Sequence, residues 1–396
     1  MVENLLEGVR VLDMTRVLAG PYATMVLADL GAEVIKVELP GLGDESRGFG
    51  PFQNGESAYF TSVNRGKKSV TIDLRQEHGQ DLARRLAGQS DVLVENFRPG
   101  SMDRFGLGFE EIHALHPDLV YASISGFGQT GPYAQRPAYD VLIQAMGGLA
   151  SITGNPHDAP VRVGSSIADL SAALFGAVGI LAALERARRT GEGQQVDISM
   201  LDCQVALLEN ALARYAVSNE VPTPLGSRHP AITPFQFFAA SDGYLVIAAG
   251  NDALWRKLCE ALGTAELADD PRFASNAQRT ENHAELEPLL GDIIAENTVD
   301  KWCVLLGEAG VPSGPLCDVG QVFHSEQVAA REMIIELEHP IAGMQAMPNS
   351  PLKFSQTPVQ LNTPAPLLGQ HTEEILGGIL GLSVGEIDAL RTVGVI

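Results

Sequence analysis

Over the first 130 residues short β-branched runs alternate with helical patterns, and nothing else in the chain restricts its architecture as much. The runs are VRVLDM from Val9, AEVIKVE from Ala32, KSVTIDL from Lys68, DVLVENF from Asp91 and DLVYASIS from Asp118, with helical spacing over 20–30 and 79–87. Strands separated by helices join through right-handed crossovers into a largely parallel sheet. Ligands of such sheets gather at the carboxyl ends of the strands, which here are 13–20, 38–47, 73–75, 95–100 and 125–131.

A second feature is the stretch GSSIADLSAALFGAVGILAAL, 164–184, where Leu170, Leu174, Ala177, Val178, Leu181 and Leu184 recur at three- and four-residue steps. Ala, Gly, Phe and Ile fill the positions between, so the helix is expected to be buried on all sides. Asp169 stands at its mouth. An aspartate there is a preferred N-cap, and the positive end of a helix also favours an anionic intermediate beside a nucleophilic carboxylate. Both readings stand on the residues alone.

The chain has 396 residues, long for one core, and 45% are hydrophobic. A net charge of -22 argues against nucleic acid and anionic membranes as partners. Cys203, Cys259, Cys303 and Cys317 are far apart, without a C-x-x-C pair, and are expected as reduced thiols in a cytoplasmic protein. MVENLLEGVR is acidic and polar, so no secretory signal is expected. The apolar run after Asp169 has roughly 15 residues, short of the ~20 that spanning a bilayer needs.

After the central helix come a strand within QQVDISML and a helix over 201–217, and the proline-rich stretch 221–234 marks a domain boundary. FQFFAASDGYLVIAAG is expected as two strands around a Ser-Asp-Gly turn in a smaller α+β domain. From about Pro340 the chain is expected to be extended, ending in a helix with Thr372 as N-cap. The predicted fold is α/β: a large doubly wound, Rossmann-like parallel-sheet domain from 1–220 and the returning tail 331–396, with the small domain at 221–330.

Arg16, Arg47, Arg65, Lys67, Lys68, Arg75, Arg98, Arg104 and Arg136 cluster at the predicted strand ends. In so acidic a chain such a set suggests a site for a polyanionic small molecule, although any single member can equally pair with a neighbouring acid. GFGQTG at 126–131 matches a dinucleotide-binding string, but Pro132 follows where a helix must open, so a turn is expected instead. His113 and His116 sit with Glu110 and Glu111 on a helix without a third ligand, and no metal site is expected.

Taken in order, GVRVLDMTRVLAGPYATMVLADLGAEVIKVELPGLGDESRGFGP, SVNRGKKSVTIDL, DVLVENFRPGSMDRFGLG, ISGFGQTGPYAQRPAYDVLIQAMGGLASITG, the Asp169 segment and PLLGQHT resemble the family III CoA-transferases, the family of formyl-CoA and carnitine CoA-transferases. The resemblance implies Asp169 as a nucleophile that forms a mixed anhydride and then an aspartyl-CoA thioester. It implies CoA contacts at Arg16, Val17, Leu18, Ala19, Ile72, Asp73, Leu74, Arg75, Asn96, Phe97, Arg98, Arg104, Tyr139 and Asp140, with Arg136 close by. CoA and acyl-CoA enter as substrates, with no tightly bound cofactor.

The resemblance also implies an interlocked homodimer. Leu18 stands where formyl-CoA transferases have Gln, and the small domain lacks their glycine run, which argues against formyl-CoA and oxalate. Tyr139 stands where related 2-methylacyl-CoA racemases have a His, and a phenol near pKa 10 is a poor proton shuttle at neutral pH. The small-domain stretch resembles members that move CoA between dicarboxylates such as succinyl-CoA and glutarate, with Arg228 or His229 as candidates for the acceptor's distal carboxylate. The other readings are a racemase or epimerase, and a non-catalytic CoA-binding protein.

Overall fold

Six parallel strands form the central sheet: β1 (Arg10–Asp13), β2 (Glu33–Glu38), β3 (Lys67–Thr71), β4 (Val92–Glu95), β5 (Val120–Ser125) and β6 (Gln195–Ser199). Their order is β3-β2-β1-β4-β5-β6, the doubly wound arrangement with its switch point between β1 and β4. The computed structural model describes residues 4–396. The chain divides into two compact units, the larger taking residues up to Leu149, Arg162–Leu212 and Gln327–Ile396, the smaller Ala150–Val161 and Ala213–Glu326.

Strand periodicity sorts the side chains onto two faces. Val11, Val34, Val92, Val94, Val120 and Ala122 belong to one core, Leu12, Ile35, Leu93 and Tyr121 to the other. Helix α1 (Ala19–Asp29) covers the first face; the second is covered by α3 (Glu77–Ala87) and α4 (Phe109–Leu115), with α2 (Ala58–Asn64) leading into β3. After β5 come α5 (Asp140–Met146), the long α6 (Ile167–Thr190), β6 and α7 (Met200–Leu207). The expected single helix over 201–217 is two, since the backbone breaks at Glu209, whose φ is 26°.

Helix α6 packs on the first face through Ala168, Ala172 and Gly176, which let the backbone come close, and through the larger Ile180. Gly179 is required there, because a Cβ would stand 2.8 Å from Val196 Cγ1. The expectation that this helix is buried all round is corrected: Leu174, Phe175 and Val178 are 52%, 46% and 64% exposed. Three- and four-residue spacing finds the faces of a helix but not what covers each. At 24 residues α6 is also long and apolar enough to cross a membrane, although half of its most apolar window is buried in the protein.

In the smaller unit β7 (Phe235–Ala239) and β8 (Tyr244–Ala248) pair antiparallel around the Ser-Asp-Gly turn, and β9 (Ser313–Pro315) adds a third strand. Helices α8 (Asp252–Leu262), α9 (His283–Ala295) and α10 (Val299–Glu308) enclose its core around Trp255, Phe273 and Trp302.

The returning tail is not simply extended. Strands β10 (Ile334–His339) and β11 (Gly343–Pro348) form a hairpin, and α11 (Thr372–Gly378) and α12 (Val384–Thr392) follow. Thr372 is the first residue of α11 rather than its cap, which is His371, and its hydroxyl accepts from the Thr71 amide.

Candidate active site

Asp169 is the third residue of α6, not its cap: Ser166 holds the N-cap position and makes no side-chain capping bond. The cap is supplied from elsewhere. Asp140, the first residue of α5, accepts the Ala168 amide on Oδ1 at 2.9 Å and Gln144 Nε2 on Oδ2 at 2.7 Å. Gln144, fully buried, takes the Val163 amide on its own oxygen. This pair fixes the path into α6 and frees Asp169 from capping.

Among the described residues no cation pairs with Asp169. Burial first, and the Asp140 carboxylate second, push its pKa up to about 7. A carboxylate so poorly stabilised as an anion is a stronger nucleophile than an exposed one once it is deprotonated. Tyr59, on α2, feels the same charge: burial and then Asp169 raise its pKa.

Tyr59 also lines a cavity of about 320 Å³ in the larger unit, with Leu18, Tyr22, Ser62, Ser166 and Leu170. Residues 348–352 of the tail close one side of it. The cavity therefore reaches the first turn of α6 through Ser166 and Leu170 rather than through Asp169 itself, and its mainly apolar walls carry a few hydroxyl and amide groups and the Asp29–Arg65 pair.

The nine strand-end cations separate into three groups. Lys67 is paired with Asp13 at 2.9 Å, Arg65 with Asp29 at 2.7 Å and Arg47 with Glu38 at 2.7 Å, all with little or no exposure. Lys68 bridges Glu33 and Glu374. These four pair with acids, the outcome the sequence allowed for any single member, and Arg65 does so at the wall of the cavity. Arg16 pairs with Glu45 and lies 4.7 Å from the Phe97 ring centroid, and Arg75 pairs with Asp73 at the surface. Arg98, Arg104 and Arg136 have no carboxylate partner among the described residues; Arg104 donates to Ser101 Oγ, and Arg136 lies over the Tyr133 ring.

Of the other residues singled out, Ile72 is buried in the second core with Leu74 and Phe97 packed at its edge, and Ala19 is buried in the first. Arg75 holds the Asp73 carboxyl at about 2, below the ordinary range. Tyr139, at the N-cap of α5, is 76% exposed. Asn96 spends its amide on the backbone of Arg16. Arg228 and His229 lie in the smaller unit, where His229 Nδ1 accepts from the Ala231 amide and its ring meets Phe235.

GFGQTG forms a turn in which Gly128 has φ of 81° and the Gln129 amide donates to Asp197. His113 stacks on Phe109, with ring centroids 5.0 Å apart.

Sequence reasoning missed Tyr59, Gln144 and the tail segment at the cavity. A signal for Tyr59 was present, since Ser57 caps a helix over Ala58–Asn64 by accepting the Phe60 amide. Nothing local marks residues 348–352, which reach the cavity only through the fold.

Residues 6–372 match the sequence profile of CoA-transferase family III. A succinyl-CoA:glutarate CoA-transferase of Mus musculus is 43% identical over 99% of this chain and 90% of its own length. An acetyl-CoA:oxalate CoA-transferase of Acetobacter aceti is 43% identical over 88% of this chain and 89% of its own. The crystal structure of a CAIB/BAIF family protein from Brucella suis superposes with a TM-score of 0.85 at 40% identity, covering 95% of this chain and all of that one.

Proposed function

The chain belongs to CoA-transferase family III, and from that premise we propose that Asp169 carries CoA from succinyl-CoA to a dicarboxylic acid. The observation that carries the reading is the Asp169 carboxylate: at a helix N-terminus, without a counter-ion, and with its pKa raised to about 7. Its oxygen attacks the thioester carbonyl and expels CoA thiolate, leaving an acyl-aspartyl anhydride. The thiolate attacks the aspartyl carbon of the anhydride, which releases succinate and leaves an aspartyl-CoA thioester. The acceptor carboxylate displaces CoA thiolate to form a second anhydride, and thiolate attack on the acceptor's acyl carbon returns the Asp169 carboxylate with the new acyl-CoA. Each step exchanges one acyl bond for another without ATP.

Arg98, Arg104 and Arg136, the strand-end cations without carboxylate partners, are the candidates to meet the CoA phosphates. Tyr59 is positioned to donate to an oxygen of the anhydride. Glutarate heads the acceptors, by the activity in the mouse relative's name; the name of the Acetobacter relative returns oxalate, disfavoured by Leu18, to the panel. Arg228 and His229 remain the proposed partners of the acceptor's distal carboxylate.

We also assign the exposed Leu174, Phe175 and Val178, with Val141 and Met146, to contact with a second copy in an interlocked homodimer. Each such side chain, about half in water, forgoes roughly half of the about 1.5–3 kcal/mol that full burial contributes. A reducing cytoplasm suits the four free thiols.

Intact-protein mass spectrometry after mixing with succinyl-CoA, with and without glutarate or oxalate, tests the transfer. A CoA-sized adduct at Asp169 that vanishes as one acceptor becomes its CoA ester is expected. Stoichiometric CoA binding without any adduct would favour a non-catalytic CoA-binding protein, and exchange of an α-proton a racemase.

A further inference from the structure

The loop between β1 and α1 carries Val17 at φ 67°, a left-handed conformation that a β-branched residue rarely adopts. Side chains from other parts of the larger unit tie down nearly every backbone polar group of this loop. The Thr15 amide donates to Asp13 Oδ1 at 2.9 Å, and the Thr15 carbonyl accepts from Lys36 Nζ at 2.7 Å. The Arg16 amide donates to Asn96 Oδ1, and the Arg16 carbonyl accepts from Asn96 Nδ2, both at 2.8 Å. The Val17 amide lies 3.1 and 3.2 Å from the two Asp44 oxygens.

The clamps are themselves anchored. Lys36 and Asp44 form a fully buried ion pair at 2.9 Å, and Asp44 also accepts from the amide and hydroxyl of Ser46. Asn96 follows the last residue of β4, across the switch point from β1. The next residue along the loop, Leu18, is the N-cap of α1 and lines the cavity beside Ser166 and Tyr59.

The two Asn96 bonds do not serve burial, since Arg16 is exposed and Asn96 half-exposed, unlike Thr15, Lys36 and Asp44. We propose that Asn96, with Asp44 and Lys36 beneath it, is a positioning residue that holds the Thr15–Val17 backbone in its left-handed turn and so sets where the Leu18 end of the loop stands relative to Asp169. This rests on the transfer reading above and assigns to the Asn96 amide a role different from direct contact with CoA. Both polar atoms of that amide are already engaged with the backbone.

The test compares wild type, Asn96→Ala and Asn96→Ala/Val17→Gly. Without the clamp the loop relaxes from a conformation that Val disfavours, and misplacement at the reacting centre lowers kcat by about 10- to 100-fold. The Kd for CoA, measured by calorimetry, changes by a smaller factor than kcat, because only the expected contacts on this loop shift while those at Arg98, Arg104 and Arg136 stay in place. Glycine adopts φ near 67° without penalty, so Val17→Gly in the Asn96→Ala background recovers at least about threefold of the lost kcat.

Tryptic cleavage after Arg16, followed without any substrate, reads the loop directly and accelerates at least about tenfold in Asn96→Ala as local opening becomes easier. Loss of CoA affinity with kcat unchanged would make Asn96 a ligand contact and overturn the proposal. Unchanged kcat and unchanged cleavage would overturn it as well, as would failure of Val17→Gly to rescue. A wild-type protein that transfers nothing would sink the transfer reading, while the cleavage rates would still decide whether Asn96 holds the loop.

Discussion

Two aspartates in the larger unit, Asp13 buried and Asp169 half-buried, show how environment assigns a role. Asp13, at the end of β1, is completely buried and surrounded by compensation: Lys67 Nζ at 2.9 Å, the hydroxyls of Thr15 and Thr24, and the Thr15 amide. Burial alone would raise its pKa, but Lys67 and Lys36 outweigh it and hold the carboxyl well below the usual range. Asp169, less deeply buried, receives no cation and has another carboxylate nearby, so burial prevails and its pKa climbs to about 7. A carboxylate that the fold needs is given partners; one left without them is available for chemistry.

The sharpest way to break this comparison is Asp169→Ala, which we expect to reduce transfer by at least about 10³-fold while CoA affinity changes less than about threefold. Transfer assays beside calorimetry check it, and retained turnover would place the nucleophile elsewhere. For Asp13 the expected effect is on stability. Lys67→Met strands a buried anion and should cost about 3–5 kcal/mol in urea unfolding, whereas Asp13→Asn with Lys67→Met should cost much less.

The pH dependence separates the pair further. With Asp169 titrating near 7, kcat/KM should fall about tenfold per pH unit below that value and level off above it, and a profile flat from pH 5 to 8 would remove the raised carboxylate.

The smallest effect concerns stability at Asp169. An acid whose pKa is higher in the folded than in the unfolded protein binds its proton more tightly when folded. Wild type therefore loses stability as pH rises from about 4 to 7. Asp169→Asn escapes that loss, so it should be more stable than wild type by about 1–3 kcal/mol at pH 8, the ~4 kcal/mol of a rise from 3.8 to about 7 discounted for partial exposure, and by almost nothing at pH 4. Equal shifts at both pH values would contradict the assignment.

The parallel sheet and the position of Asp169 were legible because they rest on local patterns: strand periodicity, apolar helical spacing, an acid at a helix start. The partition of the cations was not. Lys67 lies 54 residues from Asp13, and Arg65 36 from Asp29, and no local pattern tells such a buried pair from an unpaired surface arginine. The capping of α6 by Asp140 is likewise a 28-residue relationship, invisible to a reading that saw an aspartate near a helix start and left open whether Asp169 itself was the cap. The tail hairpin was missed because prolines at 340, 348 and 351 suggested extended chain, although a strand pair tolerates them at its ends.

The tail closes the second core: Ile375, Leu376, Ile387, Val395 and Ile396 pack with Leu12, Ile35 and Val70, and the Asp73 amide donates to the Val395 carbonyl. During synthesis, then, the first strands leave the ribosome with one face of their sheet unfinished, and the residues that complete it follow more than 300 positions later. At about 5–20 residues per second that interval is roughly 15–60 s, far longer than hydrophobic collapse takes. Over that time the part of this face that α3 and α4 leave uncovered stays open to chaperones and to neighbouring nascent chains.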